Sequence, residues 1–241
     1  MKSSRPCHPV PELSQVSGIA FDLDGTLYPG RRIYLAMACG LFPSLRTLLK
    51  YQKARQSLKG LDFDSEAHLR SLVAEMMAGG EDSKAQTYEA WISKKFEPAF
   101  LRFFDETPSA RPGFVELIPR LRGAGYRLAV ISDYPWIDRR LVGLGFRPED
   151  FHARIDTPSL GFLKPSEQAG QYLQAALGIP LQKTLMIGDR ADTDFALAER
   201  MGMPFLGIKD TGWLKGVPWH SWPAVRGFLQ GLTDQDLAVQ I

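Results

Sequence analysis

Two carboxylates two residues apart, Asp22 and Asp24 in Phe21-Asp22-Leu23-Asp24-Gly25-Thr26-Leu27, follow the apolar run Gly18-Ile19-Ala20-Phe21. The run reads as a buried strand, and Gly25 supplies a turn that a residue with a Cβ resists. Side chains alternate along a strand, so the two acids share a face only while the strand stays regular. At its carboxyl end they can instead converge on one crevice. Two acids there repel each other and call for a positive group, either a metal ion or a lysine. Three further candidates stand near the ends of apolar runs. Ser132 follows Leu128-Ala129-Val130-Ile131, Lys164 lies in Gly161-Phe162-Leu163-Lys164-Pro165, and Asp189 opens Asp189-Arg190-Ala191-Asp192-Thr193-Asp194 after Thr184-Leu185-Met186-Ile187-Gly188. An α/β fold brings strand ends to one edge, so an acid pair, a hydroxyl, a lysine and a second acidic cluster would face one crevice.

The elements that must position these residues differ in kind along the chain. Residues 27–107 hold no convincing strand. Residues 33–58 are apolar in clusters, and Pro43 divides them into two helices. Asp64-Ser65-Glu66 opens a helix through Leu69, Leu72, Val73, Met76 and Met77, which Gly79-Gly80 ends. Residues 83–104 carry Tyr88, Trp91, Ile92, Phe96, Phe100, Leu101 and Phe104 near helical spacing, with an interruption near Pro98. The segment predicts a module of three to five helices. Beyond it strands and helices alternate. A helix opens at Pro112, which Pro119 should kink or shorten. Strands are expected at 127–132, 151–156, 184–187 and 204–208, with helices at 135–144, from Ser166 to Gly178, and from Asp192 or Thr193 to Gly202. The tail from Gly212 holds Trp213, Trp219 and Trp222 as packing residues and ends in a helix near 224–232 on the sheet edge. Alternation of this kind predicts a parallel, Rossmann-like three-layer α/β sheet core. Its expected extent is residues 17–27 and 108–241, with an α-helical cap, 28–107, inserted after the first strand. Residues 1–16 read as a disordered tail.

Composition removes several function classes. The 29 basic and 27 acidic residues leave a formal charge of +2, which gives no reason to expect nucleic acid or an anionic membrane as partner. Cys7 and Cys39 form neither a C-x-x-C pair nor a disulfide framework, so a reducing, cytoplasmic setting is expected. No run approaches the roughly 20 apolar residues that span a bilayer, and the first 16 residues lack the apolar stretch of a signal peptide. His8, His68, His152 and His220 are scattered and form no metal or nucleophile cluster. An Asp-x-Asp pair also opens a calcium loop, but that loop wants glycine at its sixth position and glutamate at its twelfth. Counted from Asp22 these are Leu27 and Ile33.

The ordered set Asp22-Leu23-Asp24-Gly25-Thr26, Ser132, Lys164-Pro165 and Gly188-Asp189 with Asp194 resembles the haloacid dehalogenase-like hydrolases, across residues 18–232. The resemblance implies Asp22 as nucleophile and Asp24 as general acid and base. It implies Thr26, Ser132, Asp133 and Lys164 as phosphate-binding residues. It implies Mg²⁺ held by Asp22, Asp24 through its backbone carbonyl, and Asp189, with Asp194 in support. The implied activity is hydrolysis of a small phosphorylated metabolite through an aspartyl-phosphate. Phosphomutases and dehalogenases share the resemblance. A dehalogenase needs neither a metal nor a proton-transferring acid, and Asp24 with the Asp189 cluster argues against it. A phosphomutase and a non-catalytic binding protein stay open.

The physical case agrees with that expectation. Two unit charges about 4 Å apart interact by ~4 kcal/mol at an effective dielectric of 20. An anionic carboxylate therefore approaches a phosphate dianion only beside a cation. Mg²⁺ suits all-oxygen ligands, and lysine is a compact point charge with three donors. Tyr28, Arg31, Arg32 and Arg46 invite a reading as substrate contacts, since arginine suits carboxylate and phosphate; a solvated helix face is the simpler account.

Overall fold

The described residues form six strands, β1 (Gly18–Asp22), β2 (Arg127–Ser132), β3 (Ala153–Asp156), β4 (Thr184–Gly188), β5 (Phe205–Ile208) and β6 (Trp219–His220). In this computed structural model they form one sheet in the order β3-β2-β1-β4-β5-β6, and every pair is parallel. The structure describes residues 16–106, 109–209, 217 and 219–239, with side chains of the last helix described through Asp234. The expected tail at 1–16 therefore lies, but for Val16, outside the described residues, as do Thr107, Pro108 and Trp213.

Strand β1 is buried along its whole length and runs between β2 and β4, where Ile19 pairs with Leu128 on one side and Leu185 on the other. Alternation along it builds two cores. Ile19 and Phe21 join a cluster with α6 (Phe114–Gly123) and α10 (Trp222–Val239), while Ala20 joins a second with α8 (Glu167–Leu177) and α9 (Ala196–Met201). Apolar side chains on both faces make an all-parallel sheet stable only when helices cover both. Chain order on either side of β1 reverses, so ligands are expected past the carboxyl ends of β1 and β4.

Between β1 and the rest of the sheet lie α1 (Gly30–Gly40), α2 (Leu45–Ser57), α3 (Glu66–Ala78), α4 (Asp82–Trp91) and α5 (Glu97–Glu106). Helix α3 begins where the Ser65 hydroxyl accepts from His68 N, satisfying one orphan donor of the first turn. The buried residues of this module continue into the cluster on the β1 face of Ile19 and Phe21. Backbone hydrogen bonds tie it back to the loop before α8, from Gly60 N to Lys164 O, Phe63 N to Gly161 O and Leu163 N to Leu61 O.

Several local expectations change. The interruption expected near Pro98 is present, with Pro98 itself the second residue of α5 in a helical run that continues directly from α4. The irregularity is a π-helical turn at Ile92–Phe96 just before it. Helix α6 runs through Pro119. A proline inside a helix costs about 3 kcal/mol, and burial of Phe114, Leu117, Ile118 and Leu121 against the sheet offsets it. A second π-helical turn, Ala191–Phe195, precedes α9. Strand β3 starts at Ala153, α10 reaches Val239, and the two-residue strand β6 has no counterpart in the sequence reading. Among the described residues no helix is long and apolar enough to cross a membrane.

Candidate active site

Asp22 ends β1 as a buried carboxylate. Its Oδ1 accepts from Lys164 Nζ at 2.7 Å and its Oδ2 from the fully buried Thr26 hydroxyl at 3.0 Å. Lys164 is itself buried and also reaches Asp194 Oδ1 at 2.6 Å. Asp194 in turn closes the loop after β4, where its Oδ2 accepts from Asp189 N and Arg190 N. That closure needs Gly188, since a Cβ there would stand 2.4 Å from Asp194 Cβ. The sequence-predicted residues Asp22, Thr26, Lys164, Asp189 and Asp194 are thus brought together by β1, β4 and the loop before α8.

Asp22, Asp189 and Asp194 each offer an oxygen within 4.8 Å of the others. Asp22 and Asp194 share the Lys164 ammonium, and Asp189 crowds them from the loop after β4. Burial, then Asp194, raises the Asp22 carboxyl well above its usual range, and the same two causes push Asp189 up to about 7. Burial works against the Lys164 ammonium, but Asp194 and Asp22 raise its pKa well above the ordinary lysine value. Asp189 Oδ1 is buried without a hydrogen-bond partner, a cost that a cation would remove. The donor set is all oxygen, which fits a hard divalent ion.

Asp24 points elsewhere. Its Oδ1 accepts from Tyr28 Oη at 2.6 Å. Its Oδ2 accepts from Ser132 Oγ at 3.2 Å and Arg140 Nη2 at 2.5 Å. Its carboxylate stands outside the cluster of three acids. Ser132 is fully buried, and Asp133 accepts from Lys164 N at 2.9 Å and the Thr157 hydroxyl at 2.8 Å. Asp133 thereby fixes the loop carrying Lys164. The loop holding both acids is braced from beneath by buried Arg111, which donates to Thr26 O at 2.9 Å and Gly25 O at 2.7 Å.

Three of these residues escaped sequence reasoning or were weighed differently. Tyr28 is wholly buried rather than on a solvated face. Arg140 and Arg111 belong to no motif in the sequence. A signal for Arg140 existed: it occupies the spacing of Ile137, Leu141 and Leu144, a helix face otherwise apolar. No comparable pattern surrounds Arg111.

A cavity of about 660 Å³ opens above the acids. The core contributes Asp22, Asp24, Tyr134, Lys164, Asp189, Arg190 and Lys209, and the helical module contributes Tyr34, Gln52, Arg55, Gln56 and Lys59. Arg55 stacks 4.5 Å from the Tyr134 ring centroid and donates to Asp133 O. Lys59 pairs with Asp192, which Arg190 also grips through two contacts of 3.0 Å. Burial resists ionisation of Asp192, but these two cations hold its carboxyl well below the usual range.

Comparison with known proteins agrees with this geometry. A family model for haloacid dehalogenase-like hydrolases matches residues 16–202. The glyceraldehyde 3-phosphate phosphatase of Methanocaldococcus jannaschii is 27% identical over 203 residues, 78% of this chain and 82% of its own length. Beta-phosphoglucomutase from Clostridium difficile superposes with a TM-score of 0.64 at 16% identity, covering 92% of this chain and 99% of its own. A 2-haloacid dehalogenase from Pseudomonas syringae superposes with a TM-score of 0.59 at 18% identity, covering 90% and 98%. At such identities the superpositions report the fold alone.

Proposed function

The chain belongs to the haloacid dehalogenase-like hydrolases, and on that footing we propose that it hydrolyses a small phosphorylated metabolite through an aspartyl-phosphate on Asp22, with Mg²⁺ held by Asp22, the Asp24 backbone carbonyl and Asp189. The family and the phosphatases among its relatives make it a phosphoric monoester hydrolase. The observation that carries the mechanism is the buried Asp22–Lys164 pair, 2.7 Å apart beside two more acids, with Asp22, Lys164 and Asp189 in the lining of the cavity.

Bound among those acids, the cation would neutralise charge on Asp22 and the phosphoryl oxygens. Asp22 forms a bond to phosphorus as the ester P–O bond breaks, and Asp24 gives the leaving oxygen its proton. Water then attacks phosphorus as the P–O bond to Asp22 breaks, Asp24 takes a proton from that water, and inorganic phosphate leaves with the Asp22 carboxylate restored. Lys164 moves its charge toward a phosphoryl oxygen, Thr26 holds the Asp22 carboxylate, and Ser132 with Asp133 shapes the loop that faces the phosphate. Asp194 keeps Lys164 and the loop after β4 in place. The module 28–107 acts as a cap that limits bulk water. Glyceraldehyde 3-phosphate is the first substrate to test, from the relatives' names.

The test is phosphate release from a panel of phosphorylated metabolites, with Mg²⁺, with EDTA, and after Mg²⁺ is restored. Release should need the ion, and Asp22→Asn should lower kcat by about a thousandfold or more. Equal release in EDTA would sink the metal role. Activity kept in Asp22→Asn would sink the nucleophile. An isomeric sugar phosphate accumulating without free phosphate would make the enzyme a phosphomutase.

A further inference from the structure

Arg140 is the largest of the fully buried side chains, and it is aimed at one carboxylate. Besides Asp24 Oδ2, its Nη1 meets Ser132 Oγ and Tyr134 O, each at 3.0 Å. Its guanidinium carbon stands 5.0 Å from the ring centroids of both Phe100 and Phe104 on α5. Tyr28, on the other oxygen of Asp24, packs edge-on against Phe104 and tilted against Phe103, with centroids 5.6 Å apart in each case. A guanidinium is costly to take out of water, and a buried ion pair is often replaceable by apolar residues at no loss of stability. Fold stability alone therefore gives little reason for a buried arginine at this point of the apolar face of α7 (Ile137–Gly143).

We propose that Arg140 and Tyr28 are positioning residues for Asp24, and that the phenylalanines of α5 hold both in place. The helical module then sets the orientation of the proton-transferring acid as well as covering the site. The inference rests on the reading of Asp24 as general acid. Proton transfer needs the carboxyl about 2.6–3.2 Å from the leaving oxygen. Donors on two sides fix the χ angles of Asp24, and the aromatic wall fixes the donors.

The experiment compares single-turnover release of two leaving groups. Nitrophenolate from p-nitrophenyl phosphate departs without a proton, whereas the alkoxide of the best alkyl phosphate in the substrate screen needs one. Arg140→Met should slow the alkyl phosphate by about 100-fold, within the range of general acid catalysis, and p-nitrophenyl phosphate far less. KM should change little, and Arg140→Lys should recover part of the loss. Tyr28→Phe and Phe104→Leu should show the same bias at smaller size, and they carry the test if Arg140→Met does not fold. Equal slowing of both substrates, or an effect confined to KM, would overturn the inference, provided Asp24→Asn shows the bias. Absence of the bias in Asp24→Asn itself would overturn the underlying acid assignment.

Discussion

Gly25 shows how much a single residue decides at this site. Its φ is +92°, and a Cβ there would stand 2.1 Å from Asp189 Oδ2 and 2.5 Å from Asp189 Cγ. The turn between the acids of β1 and the carboxylate after β4 therefore closes only over a hydrogen. Gly25→Ala adds backbone strain of about 1–3 kcal/mol and pushes Asp189 out of the acidic cluster. The expected outcome is a rise of about tenfold or more in the Mg²⁺ concentration needed for half-maximal activity, on the scale of lost metal-site support, with an unchanged circular dichroism spectrum. An unchanged Mg²⁺ requirement would separate Asp189 from the metal. The need for a glycine here was legible in the sequence as a turn. Its contact with Asp189, 164 positions away, was not, because close approach between distant loops leaves no local pattern.

Helices α5 and α7 meet closely enough to be tested by one methyl group. A Cβ on Gly143 would lie 2.4 Å from Phe104 O, and Phe104 is the ring that backs Arg140 and Tyr28. Gly143→Ala should destabilise the fold by about 1–3 kcal/mol through overpacking, read as a lower urea midpoint, and should lower kcat in the same variant. A lower midpoint with unaltered kcat would mean that α5 does not bear on Asp24. At this scale the sequence was readable where periodicity and caps agreed, as in α3 and α8, each opened by a serine hydroxyl that accepts from the chain three residues on. At Pro98 it marked a real irregularity, the π-helical turn at Ile92–Phe96, and at Pro119 the helix continues to Gly123. Proline reports only the hydrogen bond it forgoes; whether that bond is needed depends on position in the helix and on the packing that offsets it.

Across the molecule, the sheet and the helical module are joined over the cavity by Lys59 with Asp192 and by Arg55 with Asp133 O. Asp192 is half exposed, so its pairs are screened by salt and worth about 0.2–1 kcal/mol each. Asp192→Asn should leave the unfolding midpoint within about 1 kcal/mol of wild type while freeing Lys59 and Arg190 toward an anionic substrate. KM for a phosphate monoester should then fall at low ionic strength and return toward the wild-type value in high salt. A KM that ignores salt would place both cations outside the substrate's field.

The sequence by itself determined the α/β class, the parallel sheet and most of its strands, because hydrophobic periodicity and strand-end punctuation are local properties of the chain. It also placed Asp22, Asp24, Ser132, Lys164 and Asp189 near the ends of apolar runs, and the resemblance to the haloacid dehalogenase-like hydrolases made them, with Asp194, an expected site. Only the tertiary structure decided how they divide. Asp22 and Asp194 share one lysine with Asp189 crowding them, while the Asp24 carboxylate turns to Tyr28, Ser132 and Arg140. The reason is physical. Which donor desolvates and orients a carboxylate depends on distances between elements far apart in the chain, and burial turns an unremarked arginine into the nearest charge.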